Sequence, residues 1–117
     1  MRSAAQVTGS EAEERAARFL ASRGLAIVAR NFRTRLGEID VVARQGATLV
    51  FVEVRYRASG ACGGALESIT ASKRSRIVAA ANAYLAQLGS QPPCRFDVVL
   101  LEGESVEWIP AAFDVRD

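Results

Sequence analysis

Histidine is missing from this chain of 117 residues, and Lys73 is the only lysine among its 15 basic side chains. With no histidine, and with Cys62 and Cys94 outside any zinc-type spacing, a zinc site is not expected and both cysteines read as free thiols. No apolar run is long enough to span a membrane and there is no signal-peptide pattern, so a cytoplasmic protein with no membrane partner is expected. Internal repeats and low-complexity segments are absent as well. A net charge of +2 permits nucleic-acid binding without demanding it. Arginine supplies nearly all the positive charge. Its planar fork suits phosphate, yet the same bias follows from genome composition alone. Half the residues are hydrophobic, enough for one domain with one core. Residues 1–8 lack periodicity and read as a flexible N-terminal arm, leaving 9–117 as a single domain.

Residues 37–55 organise the rest. They read as two strands joined by a tight Gln45-Gly46 turn, the second strand rich in Val and Phe. That strand is apolar from Leu49 until Glu53 interrupts it, and a carboxylate in such a run must be desolvated or neutralised. Alternation puts Phe51, Glu53, Arg55 and Arg57 on one face and Val50, Val52, Val54 and Tyr56 on the other. A Gln45-Gly46 loop sets Arg44 opposite Ala47, Asp40 opposite Phe51 and Glu38 opposite Glu53. Asp40 then shares a face with Glu53, one diagonal step away at about 7–8 Å between backbones. Two acids so placed could share a hard cation, and a one-residue slip would separate them.

A helix is expected over about residues 10–23, stopped by Gly24. Ser10 and Glu13 fit a capping box, but Glu13 also begins the apolar stripe of Ala16, Ala17 and Leu20, which points it toward the sheet. Both readings of Glu13 stand. Residues 25–32 read as the first strand, followed by a basic turn carrying Arg30, Arg33 and Arg35. The glycine-rich segment 58–66 reads as a mobile loop, either a cover over substrate or a plain connector. A second helix over residues 70–88, capped by Thr70 or Ser72 and closed by Gly89, is expected to bury Ile77, Ala81, Tyr84, Leu85 and Leu88. Lys73 and Arg74 stand in its first turn, where the helix dipole disfavours cations; phosphate binding or a solvated basic surface accounts for them. Strands over 94–101 and 105–109 follow, with Arg95 and Asp97 placed to form a structural pair. The order αβββαββ is an α/β fold: a central mixed sheet flanked by helices, with a right-handed helical crossover from third strand to fourth.

Glu13-x-x-Ala16-x-x-Phe19-Leu20, Arg30-Asn31, Gly37-Glu38-Ile39-Asp40, Phe51 through Arg57, Lys73 and Arg95 through Val99 resemble the bacterial YraN-like family, over nearly the whole chain from Gly9 to Phe113. That family resembles the restriction-endonuclease-like PD-(D/E)xK superfamily and, within it, the archaeal Holliday-junction resolvases. The resemblance implies that Glu13, Asp40 and Glu53 bind Mg²⁺ or Mn²⁺ for phosphodiester hydrolysis. Ile39 replaces the proline that precedes the aspartate. Arg55 stands where the superfamily carries lysine, and arginine stays protonated, so it stabilises charge but cannot act as a general base.

Lys73 lies one turn before Ile77, so its stem can run along apolar surface toward the carboxylates and take part of the role Arg55 cannot perform; neutralising backbone phosphate is the alternative. Arg33, Arg35, Arg57, Lys73 and Arg74 are the expected nucleic-acid rim. Two functions are carried forward: a metal-dependent endonuclease on DNA rather than RNA, on branched or structured substrates, and a non-catalytic nucleic-acid-binding module. A protein-interaction domain explains the acids least well. A homodimer is expected by analogy with resolvases.

Overall fold

Apolar runs in the middle of the chain and alternating patterns nearer its ends decide which strands lie inside the sheet. A computed structural model describes residues 9–57 and 69–114; the expected N-terminal arm, the glycine-rich segment 58–66 and Cys62 lie outside the described residues. The elements are α1 (Gly9–Ser22), β1 (Ala26–Arg33), β2 (Glu38–Gln45), β3 (Thr48–Arg57), α2 (Ala71–Leu88), β4 (Cys94–Glu102) and β5 (Ser105–Phe113). The strands form one sheet in the order β1-β2-β3-β4-β5. β3 and β4 pair in parallel and every other pair is antiparallel, so the αβββαββ mixed sheet is as expected. Residues 49–53 of β3 and 96–101 of β4 are buried because helices cover both faces.

On one face α1 sets Ala12, Ala16 and Leu20 against Val41, Ala43, Val50, Val52, Val99 and Leu101. On the other, α2 sets Ile77, Ala80 and Ala81 against Val42, Leu49, Phe51, Phe96 and Val98. α2 starts where the Thr70 hydroxyl accepts the Lys73 N–H at 3.2 Å and ends at Gly89, whose N–H donates to the Leu85 carbonyl. Its stripe is shorter than expected: Leu88, on the last turn, is 40% exposed and takes no part in the α2 layer.

Two expectations need correction. The β2–β3 turn is Gly46-Ala47, not Gln45-Gly46, with Gln45 paired to Thr48 and Val42 to Phe51. Gly46 takes a φ of 59°, the left-handed conformation that tight hairpin turns require and that glycine adopts without strain. The register moves by two residues, so side-chain parity survives. β5 runs to Phe113 rather than stopping near Ile109. Pro110 is tolerated on this edge strand, and beyond it Ala111, at a φ of 51°, turns its N–H to the Asp97 carboxylate at 2.9 Å.

Asp97 is fully buried on the α1 face. Arg95 Nε reaches its Oδ1 at 3.0 Å and Trp108 Nε1 donates to its Oδ2 at 2.9 Å. The expected Arg95–Asp97 pair is therefore structural, with every approach to the carboxylate occupied by a donor.

Candidate active site

The site forms where β2 changes face. Ile39 packs in the α2 layer, whereas Val41, two residues on, packs in the α1 layer. A regular strand would keep both on one side. Across from this dislocation, on β1, Asn31 sits at a φ of 55°. The β2–β3 ladder begins only at Val41 opposite Val52. One residue before it, the Asp40 carboxylate takes the place of a ladder acceptor and receives the Val54 N–H at 2.8 Å. The two strands separate around that carboxylate.

Asp40, Glu53, Val54 and Arg55 line a cavity of about 510 Å³, closed by the β1–β2 turn on one side and by Lys73, Arg76 and Ile77 of α2 on the other. Glu53 is only 8% exposed. Its Oε2 lies 3.5 Å from the Arg55 guanidinium and 3.9 Å from Lys73 Nζ. Burial, and then the charge of Glu53, push the Asp40 carboxyl up to about 7, against the Val54 N–H that favours its ionised form. Glu13 approaches Asp40 from α1, and burial followed by the Asp40 charge raises its carboxyl as well. Asp40 thus stands between two other acids. Glu13 does not line the cavity, and one of its carboxylate oxygens is buried without a hydrogen-bond partner.

The β1–β2 turn is held against α2 by a close backbone approach. A Cβ on Gly37 would overlap the Arg76 carbonyl, standing 2.7 Å from its carbon. Gly37→Ala is therefore expected to lower stability by about 1–3 kcal/mol and to part the turn from α2, read as a lower melting temperature. An unchanged melting temperature would mean that the turn gives way freely.

The family model of uncharacterised protein family UPF0102 matches residues 12–101. A UPF0102 protein of Dechloromonas aromatica is 57% identical over 110 residues, spanning 93% of this chain and 90% of the relative. One from Nitrosospira multiformis is 51% identical over 114 residues, spanning 95% and 96%. This chain belongs to UPF0102. The YraN-like resemblance is thereby borne out at the level of the family.

Within this UPF0102 chain the expected rim divides. Arg33 and Arg35 line the cavity with Lys73. Arg57 and Arg74 do not: Arg57 pairs with Glu102 at 3.0 Å, and Arg74 donates to the Ile69 carbonyl at 2.8 Å. Arg76 lines the cavity and was not among the expected residues. Its position was readable, because three residues beyond Lys73 on a helix is the same face, whereas Arg74 is about 100° round from it. No helix among the described residues is long and apolar enough to cross a membrane.

Proposed function

We propose that this chain is a metal-dependent phosphodiesterase that cuts DNA rather than RNA, with branched or structured duplexes as its substrates. The observation that carries the reading is Lys73 Nζ, brought by α2 to 3.9 Å from Glu53 beside Asp40, in a cavity rimmed by arginines. Among the described residues no three ligating side chains stand close enough to hold a metal ion by themselves. Two carboxylates nevertheless fit Mg²⁺ or Mn²⁺, because Mg²⁺ commonly takes one or two carboxylates and completes its shell with water and substrate phosphate. Asp40 and Glu53 would hold the ion, with Glu13 behind Asp40; when bound, it activates water and stabilises the charge developing on phosphate. Lys73 would orient the attacking water or steady the phosphate. Arg55, protonated at neutral pH, contributes charge but takes no proton. A homodimer would set two such cavities on one branched substrate.

Cleavage of junction, flap and single-stranded DNA with Mn²⁺ tests the reading. Lys73→Ala is expected to slow cleavage by about a hundredfold, with Lys73→Arg giving no recovery. Full cleavage by Lys73→Arg would confine Lys73 to phosphate binding. Affinity for DNA is expected to fall steeply with salt, with a logarithmic slope of roughly −3 to −4 if Arg33, Arg35, Lys73 and Arg76 each neutralise a phosphate. A flat dependence would favour a protein partner. One observation supports the second reading, a non-catalytic nucleic-acid-binding module: Glu53 already has two cations beside it in place of a metal. Tight, salt-sensitive binding with no cleavage in Mn²⁺ decides for that reading.

A further inference from the structure

We propose that Leu36 is a wedge that enters an interrupted base stack, giving the cavity its preference for branched or distorted duplex DNA. The proposal rests on the nucleic-acid reading above and names what that reading leaves open, the feature of the substrate that is recognised. Leu36 is 69% exposed, against 46% for Val28 and 40% for Leu88, the other exposed large apolar side chains among the described residues. It has no place in either core layer.

The turn that carries Leu36 is rigid. The Thr34 hydroxyl accepts the N–H groups of Leu36 and Gly37, each at 3.1 Å. Thr34 in turn donates its N–H at 2.8 Å and its hydroxyl at 2.9 Å to the Gly37 carbonyl. Gly37 is pressed against the Arg76 backbone, so the turn is also anchored from below. An apolar side chain is thus held out from the protein on a fixed support rather than on a yielding loop.

Its surroundings select the occupant. Arg33 and Arg35 precede it in the turn, Arg33 lying 3.6 Å from the exposed Glu38 carboxylate, and all three line the same cavity as Asp40 and Glu53. An apolar tip beside arginines is complementary to a surface that is anionic outside and apolar within. Phosphates over stacked bases have that arrangement. Apolar wedges that part base steps are a known mode of DNA deformation, and a step already broken by a branch or mismatch is the least costly to open. Seating Leu36 in such a gap would bring a neighbouring phosphate to the carboxylates.

The test uses the full chain with divalent ion withheld, so that binding is read without cleavage. The probes are a four-way junction and a continuous duplex of the same sequence, each carrying at the branch position a fluorescent adenine analogue that stacking quenches. The wild-type chain is expected to brighten the junction probe on binding. Leu36→Ala should lose that rise and bind the junction about tenfold more weakly while holding the duplex as before, with an unchanged melting temperature because the side chain is exposed. Arg35→Ala should weaken both complexes and flatten their salt dependence. If the wild-type chain binds DNA and Leu36→Ala matches it on the junction, or weakens both probes equally, the wedge is overturned and the nucleic-acid reading stands. A wild-type chain that binds neither probe overturns both. A sedimenting dimer that Leu36→Ala disperses would assign the turn to a second copy of this chain and overturn the wedge.

Discussion

Asp40→Asn is expected to melt roughly 10 °C above the wild-type chain at about pH 8 without metal, and to match it near pH 4. The sign follows from the direction of the shift. Asp40 is held near 7 in the folded chain, mainly by burial and then by Glu53, against an ordinary carboxyl value of 3.8. The folded state therefore binds this proton more tightly than the unfolded one. Its contribution is present in full below pH 3.8 and is lost as pH rises through about 7. Above that, the ionised group sits beside Glu53 and Glu13 at a penalty of about 2–4 kcal/mol. Asparagine removes the charge yet keeps an oxygen to accept the Val54 N–H, which donates at 2.8 Å in the wild-type chain.

Metal is expected to reverse the order of the two proteins. A divalent ion relieves the repulsion that raises Asp40, so Mg²⁺ or Mn²⁺ should stabilise the wild-type chain by about 1.4 kcal/mol at ten times its dissociation constant. That gain should grow as pH rises through 7, because the ion competes with the proton. Asp40→Asn should show no gain at any pH, and no cleavage. Calorimetric scans of both proteins with and without metal read all of these outcomes. An undiminished metal response in Asp40→Asn would remove Asp40 from the coordination sphere.

Asp97→Ala should be the more damaging change to the fold. The carboxylate is wholly buried and serves Arg95, the Trp108 indole and the Ala111 N–H together. Truncation leaves a half-buried guanidinium unpaired and two further donors without an acceptor, at about 3–5 kcal/mol. Asp97→Asn keeps an acceptor but not the charge, so its loss should be smaller. Urea unfolding measures both through the transition midpoint. Loss of less than about 1 kcal/mol in Asp97→Ala would mean that water replaces the network. The contrast with Asp40 is instructive, since both acids lie in the middle of the sheet. Asp97 is met by donors, while Asp40 is met by one N–H and two carboxyls. Only the second arrangement crowds like charges.

The candidate site was legible where local periodicity governs it. Alternation along β3 put Glu53 on the face of Phe51, and Phe51 packs in the α2 layer. Helical spacing put Lys73 at the edge of the buried stripe, within reach of Glu53. What failed depended on distant partners. Arg57 shares the parity of Glu53, yet it faces Glu102 across the parallel β3–β4 ladder and pairs with it there. Arg74 spends its guanidinium on the carbonyl of Ile69, just before the helix.

By itself the sequence determined the order of elements, the two-faced core and the presence of acids where apolar residues belong, because each follows from spacing along one strand or helix. Only the tertiary structure decided that β2 changes face at Asp40, that Glu13 stands behind Asp40 rather than in the cavity, and that Arg76 rather than Arg74 lines it. The reason is that these outcomes depend on how separate elements meet. A left-handed Asn31 on one strand, a separation of two others, and a glycine with no room for a methyl group against α2 bring together residues that no local pattern connects.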